Sequence, residues 1–286
     1  MSELINESSQ PTSPPPTSRA ADVSQADIVI ITSKLFQEYP QLCFGFSTKK
    51  NGVSRIPYGL NLSYMVGDDP NHVDINRERF FGKLNVPTDR LAIPKQFHGD
   101  FIKVATNPGV YDLCDALITS QRGVYLCVTT ADCLPIFLFD PMTYSLAGIH
   151  AGWRGTKLKI VEKTIKKMTK EFGTYPSDII AYIGPGAGVC CYEVGEEVAR
   201  EFDSRYLVRY ASKKPRLNLK LATKLQLLDA GLLDRNIEIS EYCTICNSTL
   251  FYSFRREKLN SGRMMGVIGI DSYSKIIKAN KAEVAL

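Results

Sequence analysis

Histidine is scarce in this chain: 286 residues contain only His72, His98 and His150. Any chemistry that needs imidazole has few places to reside, and a centre built on many histidines is excluded. No apolar run reaches the roughly 18 residues that a membrane-spanning helix requires, so no membrane attachment is expected. The first residues are acidic and polar where a secretory leader would carry a basic start and an apolar middle, and the expected location is cytoplasmic. Dense basic blocks are lacking too. The net charge is +5, but lysines and arginines alternate with acids except in "TIKKMTKEF" and "SKKPR", so no nucleic-acid surface is indicated. A local basic pocket for a small anion stays open. No internal repeat is visible.

Cysteine, by contrast, occurs eight times. In a chain of this length without a secretory leader, these residues read as reduced core thiols, reactive thiols or metal ligands in preference to disulfides. Residues 1–25 contain "SSQPTSPPPTS", which has almost nothing to bury, and read as a flexible tail. Residues 26–286 carry no second linker of that kind and read as one domain.

Helix is expected over "KLKIVEKTIKKMTKEFG", where Leu158, Val161, Ile165, Met168 and Phe172 recur at helical spacing and Gly173 supplies the stop. Further helices fit "EVGEEVAREF" and "NLKLATKLQLLDAG". Strand-like runs are "YLCVTT", "IFLFD", "SLAGIH", "DIIAYIG", "FYSFRR" and "MMGVIGI". Their order does not alternate strictly with the helices, which points to an α+β fold with mixed or antiparallel sheets.

Within Ala131–Thr156, two short apolar runs are separated by the turn-forming Asp140-Pro141, so Cys133 and His150 are expected at neighbouring strand ends. A catalytic zinc site takes three protein ligands and leaves a fourth position to water, and His98, Cys133 and His150 satisfy that donor requirement. The alternative makes Cys133 a buried core thiol and the histidines ordinary hydrogen-bonding side chains. Turn-formers around all three favour a site over a core. "GWRGTKL" leads into the helix expected from about Lys157, whose first amides, with Arg154 as a bidentate partner, would suit phosphate; alternatively Trp153 and Arg154 form a capping and packing pair. "CTIC", Cys243 to Cys246, has knuckle spacing but no matching second pair in the sequence, which argues against a closed structural zinc site, and Cys190-Cys191 reads as core. Arg77 and Arg263 are expected near turns, lining an anionic pocket or forming surface ion pairs. "IGPGAG" does not match a dinucleotide fingerprint.

The segments "FSTKKNGVS", "LNLSYMVGDDPNHVDINRERF", "QFHGD", "DALIT", "TADCLPI", "AGIHAGWRGT", "YIGPGAGVCCYEVGEEV" and "FYSFRR...SGRMMGVIG", in this order from about Phe44 to Ile270, resemble the YfiH-like, FAMIN-type laccase-domain family. Its members were first described as polyphenol oxidases and are now regarded as purine nucleoside phosphorylases with adenosine deaminase activity. The resemblance implies a single-domain layered sandwich, α/β/β/α, of mixed β-sheets flanked by helices. It also implies zinc on His98, Cys133 and His150, with copper as the alternative ion, and Arg154 as a substrate clamp. Nucleoside and phosphate are the implied partners, with Lys49, Arg77, Arg154 and Arg263 as candidate binding residues and Cys133, Asp132 and Arg154 as candidate catalytic ones. At "TKKNGVS" this chain has Lys49 where the family usually has arginine, which keeps the charge but loses the planar fork.

Three other readings accompany this one. A copper polyphenol oxidase would need more histidines than the chain has. A hydrolase editing cell-wall peptide precursors would use Cys133 as nucleophile with a histidine base. A non-catalytic, metal-stabilised binding module would leave no open coordination position. A monomer or small homo-oligomer is expected.

Overall fold

The computed structural model describes residues 27–211 and 213–271, so the Ser/Pro-rich segment 1–25 lies outside the described residues. In chain order the strands are β1 (Ile30–Ile31), β2 (Leu42–Ser47), β3 (Leu91–Pro94), β4 (Ile102–Val104), β5 (Gly109–Tyr111), β6 (Ala116–Thr119), β7 (Tyr125–Thr130), β8 (Leu134–Asp140), β9 (Ser145–Ala151), β10 (Ile180–Ile183), β11 (Leu207–Val208), β12 (Arg216–Leu217), β13 (Ile237–Ile239) and β14 (Met264–Ile270). The helices are α1 (Lys34–Gln37), α2 (Pro70–Lys83), α3 (Trp153–Lys157), α4 (Ile160–Phe172), α5 (Glu196–Ala199), α6 (Leu219–Asp229) and α7 (Phe254–Glu257). One six-stranded sheet runs β1-β2-β14-β7-β3-β5, a second runs β13-β10-β8-β9-β6-β4, and β11 and β12 form a small hairpin. Both large sheets mix parallel and antiparallel pairs.

Strand β8, "LPIFLFD", explains the layering. Side chains alternate across a strand, so Leu134, Ile136 and Leu138 face one way and Phe137 and Phe139 the other. The first set packs with Val161, Ile165 and Met168 of α4 and Leu227 of α6. The second packs between the sheets with Phe44, Phe46, Leu126 and Val128. On the outer face of the first sheet, Cys127, Met265 and Val267 meet Leu60, Leu62 and the α2 residues Phe80 and Phe81. The result is the expected α/β/β/α sandwich. Strands buried on both faces read as continuous apolar runs, which is why β8, β9 and β14 stand out in the sequence.

Several local expectations are corrected. The helix expected from about Lys157 is two helices, because Lys159 adopts the left-handed conformation at φ 59° and breaks the axis between α3 and α4. "EVGEEVAREF" forms only the single-turn α5. "FYSFRR" is not a strand: Phe251 and Tyr252 are buried, then the Ser253 hydroxyl caps α7 by accepting the Arg256 amide at 3.2 Å. Arg77 lies inside a helix and not near a turn, since Asp69 caps α2 through the Asn71 amide at 2.9 Å and Pro70 occupies its first position.

Candidate metal centre and its surroundings

β8 and β9 pair in register Leu134 with Ala151 and Pro135 with His150. The hairpin is closed by the Asp140 carboxylate, which accepts the Met142 amide at 2.8 Å and the Thr143 hydroxyl at 2.7 Å. Cys133, one residue before β8, therefore stands beside His150, one residue before the end of β9. His98 arrives from the loop between β3 and β4 in a left-handed conformation, φ 65°. The donor atoms of His98, Cys133 and His150 lie within 4.8 Å of one another. His72 is in the first turn of α2 and belongs to no such group.

Asp115, fully buried just before β6, holds the group together. One carboxylate oxygen accepts the His98 amide at 2.9 Å and faces His150 Nδ1 at 2.7 Å. The other accepts the amides of Gly99 at 2.7 Å and Phe97 at 3.3 Å. With Nδ1 engaged, Nε2 is the His150 nitrogen left for the cluster, the carboxylate–histidine arrangement that orients metal ligands. Gly152 lets the chain pass close by: a Cβ there would lie 2.9 Å from Cys133 Sγ and 3.5 Å from the His98 ring.

Burial pushes the Cys133 thiol up, but the charge of His150 and hydrogen bonds from both imidazoles outweigh it and bring the thiol down to about 6. Burial likewise disfavours charge on His150, yet the Cys133 thiolate and the Asp115 carboxylate raise it to about 9. Asp115, despite its burial, is held below the usual carboxylate range by His150 and the amides of Gly99 and His98. One thiolate and two imidazoles, converged and oriented, fit a divalent ion of zinc type with a coordination position left open. His150 is buried while His98 is exposed, so the group opens outward on the His98 side.

Asp132 adopts φ 89°, and its carboxylate is not one of the converged donors. It accepts the Thr244 hydroxyl at 2.7 Å, the Ser253 hydroxyl at 3.0 Å and the Arg255 amide at 2.8 Å. Arg154 is exposed on α3, its guanidinium 4.6 Å above the Trp153 ring. Both line an open depression of about 870 Å³ together with Lys213, Lys214, Arg255 and Glu197. Arg263 lies close enough to Cys133 and Asp132 for their charges to favour its cationic form, although burial lowers its pKa. Lys49 pairs with Glu257 at 3.6 Å. Arg77 donates to the Leu62 carbonyl at 3.2 Å and stacks on Tyr64 and Phe81.

A second group corrects the reading of "CTIC" and "CC": the sulfurs of Cys190, Cys191, Cys243 and Cys246 also lie within 4.8 Å of one another. The matching pair absent near "CTIC" in sequence is supplied by a loop more than 50 residues earlier, and Cys190 is exposed, not core. Sequence reasoning also missed Asp115 and Arg255 as site residues. Asp115 carried one signal, an acid opening the strand "ALIT", which then proves fully buried.

Residues 43–271 match the family described as multi-copper polyphenol oxidoreductase laccase. The chain belongs to this family. It is 33% identical over 252 residues to purine nucleoside phosphorylase YlmD of Bacillus subtilis, covering 82% of this chain and 90% of the relative. A purine nucleoside phosphorylase of Deinococcus radiodurans is 38% identical over 227 residues, covering 79% and 88% of the two chains. The crystal structure of YlmD from Geobacillus stearothermophilus superposes with a TM-score of 0.79 at 33% identity, covering 84% of this chain and 94% of that one. As a laccase-family chain it departs from the family's description in one respect, since its three histidines cannot furnish the several imidazole-rich centres of a multicopper enzyme. Among its described residues no helix is long and apolar enough to cross a membrane.

Proposed function

We propose that this protein is a zinc-dependent purine nucleoside phosphorylase that also deaminates adenosine, acting on adenosine, inosine, guanosine or methylthioadenosine. The observation that carries the reading is the convergence of His98, Cys133 and His150 under the control of Asp115. The relatives' names supply the reaction class. Zinc bound there would supply Lewis-acid polarisation of substrate or of a bound water.

The chain's own residues do the rest. Asp115 fixes the tautomer and tilt of His150 and, through the His98 and Gly99 amides, the position of His98. Asp132 acts as a positioning residue: its three hydrogen bonds hold the left-handed turn that aims Cys133. In phosphorolysis phosphate attacks the anomeric carbon as the N-glycosidic bond breaks through a cation-like sugar, so phosphate must be held close with its charge balanced. Arg154 and Arg263 are assigned to that task. Arg154 presents a planar fork already braced on Trp153. Lys49 and Arg77 remain candidates for the outer part of the substrate. Phe97 and Phe101, exposed on either side of His98, offer an aromatic surface against which a purine could stack. Eight free cysteines suit a reducing, cytosolic setting.

The test is turnover of the four nucleosides by purified, metal-analysed protein with and without phosphate. Phosphate-dependent release of free base with ribose 1-phosphate supports the reading. Release of free ribose at an unchanged rate without phosphate makes the protein a hydrolase instead.

A further inference from the structure

The four-cysteine group is separate from the proposed catalytic centre, and it offers four donors where that centre offers three. Cys190 and Cys191 sit on the loop after β10; Cys243 and Cys246 sit on the loop after β13. The two loops are joined by an isolated parallel bridge between Gly186 and Cys243 and by the Thr244 amide donating to the Gly186 carbonyl at 3.0 Å. Zinc–sulfur bonds of about 2.3 Å place tetrahedral sulfurs about 3.8 Å apart. Here Cys190 Sγ and Cys246 Sγ are 3.5 Å apart, and all four sulfurs fall within 4.8 Å, a cage of the size one ion needs.

The surroundings favour a thiolate at Cys243. Cys243 Sγ accepts the Gly188 amide at 3.2 Å and also faces the amides of Ile245 and Cys246, the turn that Cys-x-x-Cys forms when its sulfur binds a metal. A side chain at Gly188 would crowd the group, since a Cβ would lie 3.0 Å from Cys243 Cβ and 3.2 Å from Cys190 Sγ. Arg256 fixes the knuckle by donating to the carbonyls of Thr244 at 2.9 Å and Ile245 at 2.6 Å. The Lys220 ammonium, held by the carbonyls of Ser240 and Tyr242, stands where the charges of Cys190, Cys243 and Cys246 act on it. Four thiolates around a divalent ion carry a net charge of about −2, which this cation partly offsets.

We infer that Cys190, Cys191, Cys243 and Cys246 bind a second zinc ion in a closed, structural site that staples the two loops together. The staple reaches the first centre through Asp132. The Ala187 amide donates to the Asp132 carbonyl at 2.8 Å from one stapled loop, and the Thr244 hydroxyl donates to its carboxylate at 2.7 Å from the other. Cys133 is the next residue. Metal in the four-cysteine site thus holds the turn that aims a ligand of the other centre.

Zinc per chain, measured by elemental analysis on full-length protein and variants, separates the two sites. About two zinc ions are expected in the wild type, one in Cys133→Ala, one in Cys190→Ser/Cys246→Ser, and none in the combined variant. Both serine substitutions fall on exposed cysteines, which limits damage to packing. Cobalt loaded into Cys133→Ala should give the intense thiolate charge-transfer absorption of a four-sulfur site, lost in the combined variant. Cys133→Ala chains that retain no metal would overturn the inference. So would iron in place of zinc, an intact mass two hydrogens short from a Cys190–Cys246 disulfide, or unchanged zinc in Cys190→Ser/Cys246→Ser. Failure of the first centre alone appears as Cys133→Ala losing no zinc while the serine variant still loses one.

Discussion

Asp115→Asn is the sharpest test of the proposed catalytic centre, because it removes one charge and one acceptor while keeping the shape. The two carboxylate oxygens receive donors from opposite sides: His98 N–H and His150 Nδ1 on one, the amides of Gly99 and Phe97 on the other. Asparagine has a single oxygen. If its NH2 group takes the second position, it faces two amide donors. If it takes the first, it faces the His98 amide and forces His150 into the tautomer with the proton on Nε2, the nitrogen needed for metal. Either orientation leaves buried donors unpaired, at about 1–3 kcal/mol in folding stability. Loss of a carboxylate that orients a histidine ligand lowers metal affinity about 10- to 100-fold, or roughly 1.4–2.7 kcal/mol. The assay is zinc competition against a chelator of known affinity, beside urea unfolding of the metal-free protein. The sign with pH follows from the depressed pKa of Asp115. Its stabilising contribution is complete above the ordinary carboxylate pKa and is lost as pH falls through the folded value, so wild type and variant should converge in strong acid. A variant with zinc affinity within about twofold of wild type and unchanged unfolding would refute the assignment of Asp115 as the organiser of the centre.

Other substitutions probe neighbouring steps. Cys133→Ala should abolish turnover with the fold intact by circular dichroism; retained activity would remove the thiolate from the chemistry. Gly152→Ala puts a Cβ 2.9 Å from Cys133 Sγ, so it should weaken metal retention more than overall stability, measured by zinc content and thermal unfolding side by side. Arg154→Lys should raise the KM for phosphate with zinc content unchanged; loss of stability with unaltered phosphate dependence would instead make Arg154 a packing partner of Trp153. In metal-free protein the Cys133 thiol should become reactive to iodoacetamide as pH rises through about 6, with the difference between wild type and Cys133→Ala isolating it from the exposed cysteines. A midpoint near the ordinary thiol value would show that the ion pair with His150 does not form.

The amino-acid sequence alone determined the parts of this protein that depend on neighbours along the chain. Apolar runs such as β8 and β14 showed because strands covered on both faces cannot carry polar residues. The Asp140-Pro141 turn made β8 and β9 a hairpin, and hairpin register then carried Cys133 to His150. The α4 repeat and the Gly173 stop were equally local, whereas the break at Lys159 was not, since a left-handed lysine has no distinctive sequence signal. Tertiary structure decided what depends on groups far apart in the chain. Asp115 serves residues 98 and 150 at once, and only the closing of the loop and hairpin around it shows an acid as the hub of a histidine pair. The four cysteines are two unremarkable dipeptide-scale motifs until the Gly186–Cys243 bridge sets their loops side by side. A sequence records which donors exist; the distances that turn donors into a metal site come from sheet packing, where contacts join residues with no fixed spacing along the chain.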